Sequence, residues 1–193
     1  GFVFGNIETI DADGALLGGH WSPEVLPTGD AFIAGEDLTR LLLAHGNVIP
    51  CQTVIARSET YAKAGRFDSS LEYAPDLEMW FRFARHSGAV YLARPLVEVR
   101  RHDGQESNRF IATAREVDEV RRAFLSYFTT SHGDHDTAPV PMREARRLAR
   151  RHLRRWAFRN VRESIRRRRL THAVAFTMSL ARMSIATTFG SPC

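Results

Sequence analysis

Apolar and polar positions alternate along the first hundred residues in two different periods. Phe2 to Ile10 is rich in strand formers, and Ala12-Asp13-Gly14-Ala15 reads as a turn. Ala15-Leu16-Leu17 then returns, so a hairpin is expected. Gly18 to Ala34, with Pro23, Pro27 and several glycines, reads as loop. Glu36 to His45 places Leu38, Leu41 and Leu42 on one helical face, and Gly46 stops it. Val48 to Ile55 is a short apolar segment in which Pro50 allows a strand only at an edge or after itself. Ser58 is the expected N-cap of a short helix ending at Gly65, and Phe67 to Ser70 is a turn. Asp76 to Ser87 has the clearest helical stripe: Leu77, Trp80, Phe81 and Ala84 fall at i, i+3, i+4 and i+7, with Gly88 as the stop. Ala89–Leu92 and Pro95–Arg101 read as two strands. Alternating strands and helices up to about residue 102 predict α/β architecture.

Beyond that point the pattern is helical. Residues 111–128, 143–169 and 170–189 each read as helix, and a polar linker at 129–141 separates the first from the second. A two-part chain is expected, 1–110 and 111–193. Composition agrees with a folded protein: 44% of the 193 residues are hydrophobic and 25% charged. The formal charge of +5 is unevenly placed, since thirteen arginines stand between Arg143 and Arg169 against only Glu144 and Glu163. That run admits an anionic membrane surface, a nucleic acid or plain solvation. Aromatics are sparse there, only Trp156 and Phe158, so a membrane surface is preferred to nucleic acid.

Cys51 and Cys193 make no disulfide framework, which fits a reducing, cytoplasmic setting, and Cys51 in its apolar surroundings reads as a small core residue. No signal peptide and no run of some 18 apolar residues is evident. The chain opens on Phe2-Val3-Phe4 as if a strand were already under way, which predicts a piece of a longer protein.

Five blocks carry candidate chemistry: Asn47-Val-Ile-Pro with Val54-Ile-Ala-Arg57; Ala64-Gly-Arg-Phe-Asp-Ser-Ser-Leu71; Pro75-Asp-Leu-Glu-Met-Trp-Phe-Arg82; Gly88-Ala-Val-Tyr-Leu-Ala-Arg-Pro-Leu96; and Arg100-Arg-His-Asp-Gly-Gln-Glu-Ser107. In this order they resemble the acceptor-side part of family 2 glycosyltransferases of the GT-A fold. Gly5 to Gly14 is similar to a hairpin of that family. The resemblance covers roughly the first 110 residues. It implies an incomplete GT-A, Rossmann-like domain with a mixed sheet, followed by a helical basic region. It also implies inverting transfer from a nucleotide-diphosphate sugar to a carbohydrate or lipid-linked acceptor, in cell-surface polysaccharide or glycolipid synthesis, aided by a divalent cation such as manganese or magnesium. The alternative is a non-catalytic basic module that binds a membrane surface or nucleic acid.

Asp76 matches the family's catalytic base. A carboxylate in the first turn of a helix is held on a rigid element, and the helix N-terminus favours its ionised form. Pro75 replaces the family's preceding acid. By the same resemblance His102 is a metal ligand and Arg100 a phosphate contact, with an exposed loop histidine and an outward strand arginine as the plainer readings. Trp80 is either core or a ring for sugar stacking, with core preferred. Glu78 and Arg82 are further acceptor-site candidates. Two other signals are set aside. Asp11-Ala12-Asp13 spells the D-x-D of such enzymes but reads as a turn. Ser131 to Asp136 has a His/Asp content without a metal-site spacing and reads as linker. On this reading the donor-binding half lies outside the chain.

Overall fold

The computed structural model describes residues 1–21, 23–102, 104–105, 115–131 and 138–166, then 168, 170, 173–174 and 176–178. Its centre is strand β1 (Phe2–Ile10), whose Phe2, Phe4, Ile7 and Ile10 are buried. β5 (Ala89–Arg100) runs parallel to it from Phe2↔Ala89 to Ile10↔Arg100. β2 (Leu16–Trp21) pairs antiparallel with the far half of β1, and the two-residue β4 (Ile55–Ala56) pairs antiparallel with its start. β3 (Ala31–Ile33) closes the other edge against β5, giving the order β2-β1-β5-β3. The result is α/β with a mixed sheet, an incomplete Rossmann-like arrangement, as the alternating pattern predicts.

Several local expectations change. The stretch 18–34 is not all loop: β2 runs on to Trp21, and β3 forms at the sheet edge. The two expected strands of residues 89–101 are one strand of 12 residues. Pro95 sits where the β1–β5 register shifts beside Asn6, so the donor it lacks is missing from a place where the ladder is already irregular. At the same irregularity Gly5 is a close approach. A Cβ there would come within 2.7 Å of Leu96 Cδ1 and 2.9 Å of the Leu92 carbonyl. Cys51 is not a core residue. It opens a short 3-10 turn (Cys51–Thr53) and is exposed, while Thr53 is the buried member, its hydroxyl accepting from Gly5 N–H at 3.1 Å.

Helix α1 (Gly35–His45) buries Leu38, Leu42 and Leu43 and ends at Gly46. Helix α2 (Ser58–Ala64) begins with Ser58 inside it. Arg57 is the cap residue, and no side chain caps that end. Helix α3 (Pro75–His86) ends in extended Ser87 rather than at Gly88. Its burial exceeds the single stripe of Leu77, Trp80, Phe81 and Ala84, since Met79 and Phe83 are also fully enclosed. Such a helix is a core element rather than a surface one. One side meets Phe2, whose ring lies 6.0 Å from Trp80 and 5.2 Å from Phe83. The other side meets helix α4 (Arg115–Ser131), where Phe81 contacts Phe124 at 5.4 Å and Tyr127 at 5.2 Å.

Helix α5 (Met142–Arg166) is the arginine run. Ala145, Ala149, Leu153 and Ala157 recur every four residues, and all are buried in the same core as α1 and α4. The small residues let the helix lie close while most of its arginines are exposed. Of the stretch 170–189, Ala173 and Phe176 are buried, and Phe176 packs edge-on against Trp156 at 5.2 Å. Residues 132–136 of the His/Asp cluster, and Cys193, lie outside the described residues.

Candidate active site

Asp76 is the second residue of α3 and stands in a cavity of about 540 Å³. The segment before the helix is fixed from α4. The Glu119 carboxylate, 5% exposed, accepts the backbone N–H of Glu72 at 2.8 Å and those of Tyr73 and Ala74 beside it. A carboxylate binding three backbone donors holds the entry to α3 in one conformation. Asp76 itself accepts from Leu77 N–H at 2.8 Å through Oδ1 and from Asn47 Nδ2 at 2.7 Å through Oδ2. Asn47 is oriented in turn, since its Oδ1 accepts Ile49 N–H at 3.2 Å.

Burial pushes the Asp76 carboxyl above the ordinary aspartate range. The hydrogen bonds from Leu77 and Asn47 oppose that shift without cancelling it. The helix N-terminus therefore does not decide the proton affinity of this group; desolvation does. The consequence is a stronger base than a surface aspartate. Two other cavity residues are also shifted. The Tyr73 hydroxyl is pushed up by burial, by Glu116 and by Asp76. Cys51 is solvent-exposed yet set in a concave wall, and the surrounding protein together with Asp76 pushes its thiol up.

The remaining wall of the cavity comes from α5. Gly46, at φ 79°, ends α1 where a Cβ would come within 2.8 Å of His152 Nε2. His152 hydrogen-bonds the Ala44 backbone and stacks on Phe124 at 5.5 Å and 12°. Burial, with help from His45 and Arg159, drives its pKa down to about 4, so it is a neutral imidazole. Trp156 and Arg159 follow it along the helix into the same cavity, and Arg101 and Gln105 enter from the end of β5.

The other sequence candidates do not join Asp76. Trp80 is 1% exposed and stacked on Phe2, so its ring has no free face for a sugar. Glu78 and Arg82 pair with each other at 2.6 Å, and Arg82 also donates to the carbonyls of Ala64 and Arg66. Together they pin the turn after α2 to α3, which is a structural task. Arg100 donates to the carbonyls of Asp11 (2.8 Å) and Ala12 (2.6 Å), clamping the β1–β2 turn. That turn is the Asp11-Ala12-Asp13 segment, and Asp11 Oδ1 is taken up by the N–H groups of Asp13 and Ala15, as a turn requires. His102 follows β5, and its carbonyl accepts from Gln105 N–H at 3.3 Å. Among the described residues no three His, Cys, Asp or Glu side chains converge to hold a metal.

The chain is similar to proteins named as glycosyltransferases. It is 31% identical over 93 residues to an uncharacterized glycosyltransferase of Rickettsia typhi, and 30% identical over 93 residues to one of Rickettsia prowazekii. Each match spans 48% of this chain and 29% of the relative. No family model matches the chain, and no solved structure does. The chain thus spans under a third of the length of these relatives, and the likeness is to that stretch of them.

Sequence reasoning named Asp76 and missed most of its surroundings. Asn47 heads a quoted block, but nothing in its sequence setting ties it to a residue 29 positions on. Arg101 is adjacent to Arg100 in sequence, and local pattern does not tell which of the two reaches the cavity. His152, Trp156 and Arg159 lie within the arginine run, where the charge obscures a four-residue repeat of small and apolar positions.

Proposed function

We propose that the chain is the acceptor-side part of a GT-A, family 2 type glycosyltransferase, with Asp76 as the catalytic base of an inverting transfer. The observation that carries this reading is a single carboxylate on the first turn of a buried helix. It projects into a cavity of about 540 Å³, is aimed by Asn47 and is made more basic by burial. The acceptor hydroxyl gives its proton to an Asp76 oxygen as its own oxygen attacks the anomeric carbon of the donor sugar. The bond from that carbon to the leaving diphosphate breaks, and its electron pair departs with the nucleoside diphosphate. Inversion at the anomeric carbon follows from one displacement. The role of the chain's residues is to hold the base, orient it and shape the acceptor's seat. A divalent cation would offset charge on the leaving diphosphate, with His102 as one possible contact and the other ligands supplied from outside the described set. The products proposed are cell-surface polysaccharides or glycolipids.

Asp76→Asn in a full-length enzyme should abolish transfer while sparing donor binding. Undiminished turnover would remove the base assignment.

A second element of the proposal concerns where the enzyme works. The outward side of α5 presents Arg154, Arg155 and Arg162 around exposed Phe158, with exposed Ile165 further along and exposed Leu170 and Val174 beyond the helix. Cationic heads beside apolar side chains suit the surface of an anionic bilayer, and no helix among the described residues is long and apolar enough to cross one. We read the protein as peripheral to the inner face of the plasma membrane. Absence of binding to anionic liposomes in a flotation assay would sink this placement.

A further inference from the structure

The cavity beside Asp76 holds more positive than negative charge. Among the described residues Asp76 is its one carboxylate, whereas Arg101 and Arg159 both line it, from the end of β5 and from α5. Neither arginine is ion-paired with another described residue. Elsewhere in the structure arginines near carboxylates are used: Arg40 with Glu36 and Glu144, Arg82 with Glu78, Arg166 with Glu163. His45 and His152, also in the wall, are pushed towards the neutral form by burial and by neighbouring cationic groups, so the positive charge there is that of the arginines. Arg101 is fixed at its root, its N–H donating to the Ile10 carbonyl at 2.7 Å. Arg159 is carried on α5 two residues past buried Ala157; it is solvent-exposed and borders both this cavity and the outward groove around Phe158.

A neutral sugar would offer neither guanidinium group an anion, and the described residues give them none. A carboxylate or phosphate on the sugar would meet the fork geometry of arginine with paired, charge-assisted hydrogen bonds. The cavity volume falls within the range of small-ligand sites, roughly 300–1,000 Å³. On the reading that Asp76 is the base, the molecule that shares this cavity is the acceptor.

We propose that the acceptor is an anionic carbohydrate whose carboxylate or phosphate is held by Arg101 and Arg159 while the hydroxyl to be glycosylated meets Asp76. This rests on the proposed function above, but its test needs no turnover. Binding of glucuronate, glucose 6-phosphate, neutral glucose and inorganic pyrophosphate to the whole chain is measured by titration calorimetry. At least one of the two sugar anions should bind more tightly than glucose. Arg101→Gln and Arg159→Gln should each weaken that binding by about tenfold. Arg151→Gln removes one charge from the same helix away from the cavity and should leave it unchanged. Preference for glucuronate or for glucose 6-phosphate tells a carboxylate acceptor from a phosphate one.

Three results overturn the proposal: neither sugar anion binding at millimolar concentration; binding that all three arginine variants weaken equally, which is diffuse attraction to the helix; or pyrophosphate alone binding through Arg101 and Arg159, which is a seat for a diphosphate. If the sugar anion binds as expected and Asp76→Asn still transfers, the site stands and the base assignment falls.

Discussion

Residues 1–142 carry 13 basic and 20 acidic side chains, and residues 143–193 carry 14 and 2. By charge these are two different molecules. By packing they are not. The α/β body is held by aromatic side chains around a buried helix, whereas α5 is held by a narrow line of alanine and leucine that fits against α1 and α4. Composition describes the outside of an element, and packing depends on the few positions that face inward. The basic helix thus supplies His152, Trp156 and Arg159 to the cavity served by the acidic body's Asp76.

The contrast can be broken most directly at the proposed base, Asp76. Asp76→Asn should lower transfer by about 10²–10⁴-fold, measured as kcat in the full-length enzyme. A small loss would mean that the α/β body does not hold the chemistry.

Leu153→Ala asks whether α5 belongs to the core. Removing a side chain that is 1% exposed should cost about 3 kcal/mol of global stability, read from the urea midpoint. If only the basic helix melts early and the body unfolds as before, the two regions are independent.

Glu116, on α4, is buried with its Oε2 unpartnered among the described residues, and burial raises its pKa to about 7 from 4.5. The folded state holds that proton more tightly than the unfolded chain. The protonated form's advantage is therefore full below about 4.5 and is lost as the pH rises to about 7 and beyond. Glu116→Gln should raise stability by about 2 kcal/mol at mildly alkaline pH and change little in acid. Denaturation curves at two pH values decide this, and equal effects at both would show that Glu116 is not the titrating group.

The smallest effect tests the aim of the base. Asn47 lowers the Asp76 pKa by donating to it. Asn47→Leu should therefore move the acidic limb of the kcat/KM profile to higher pH and reduce the plateau by about tenfold. An unmoved limb would show that the hydrogen bond does not govern the ionisation.

Much of this was legible in the chain. The alternation of strands and helices, the stops at Gly46 and Gly65, the stripe of α3 and the position of Asp76 at its start follow from local patterns. Local periods are written by a residue's neighbours in sequence, so a sequence reading can find them. Helix caps were less legible, because Ser58 has the chemistry of a cap without occupying the position. The continuity of β5 through Pro95 depended on a register shift in β1, more than eighty residues away.

By itself the sequence determined which elements form, which face of each is apolar, and that a carboxylate begins the most buried helix. Only the tertiary structure decided which side chains share its cavity. Asn47 bonds Asp76, and Arg101, His152 and Arg159 line the same cavity, because α1, β5 and α5 end or pass at one place. That coincidence is set by long-range packing, as is the burial that lifts the carboxyl's proton affinity. The same packing commits Arg100, Glu78, Arg82 and Trp80 to holding turns and core together.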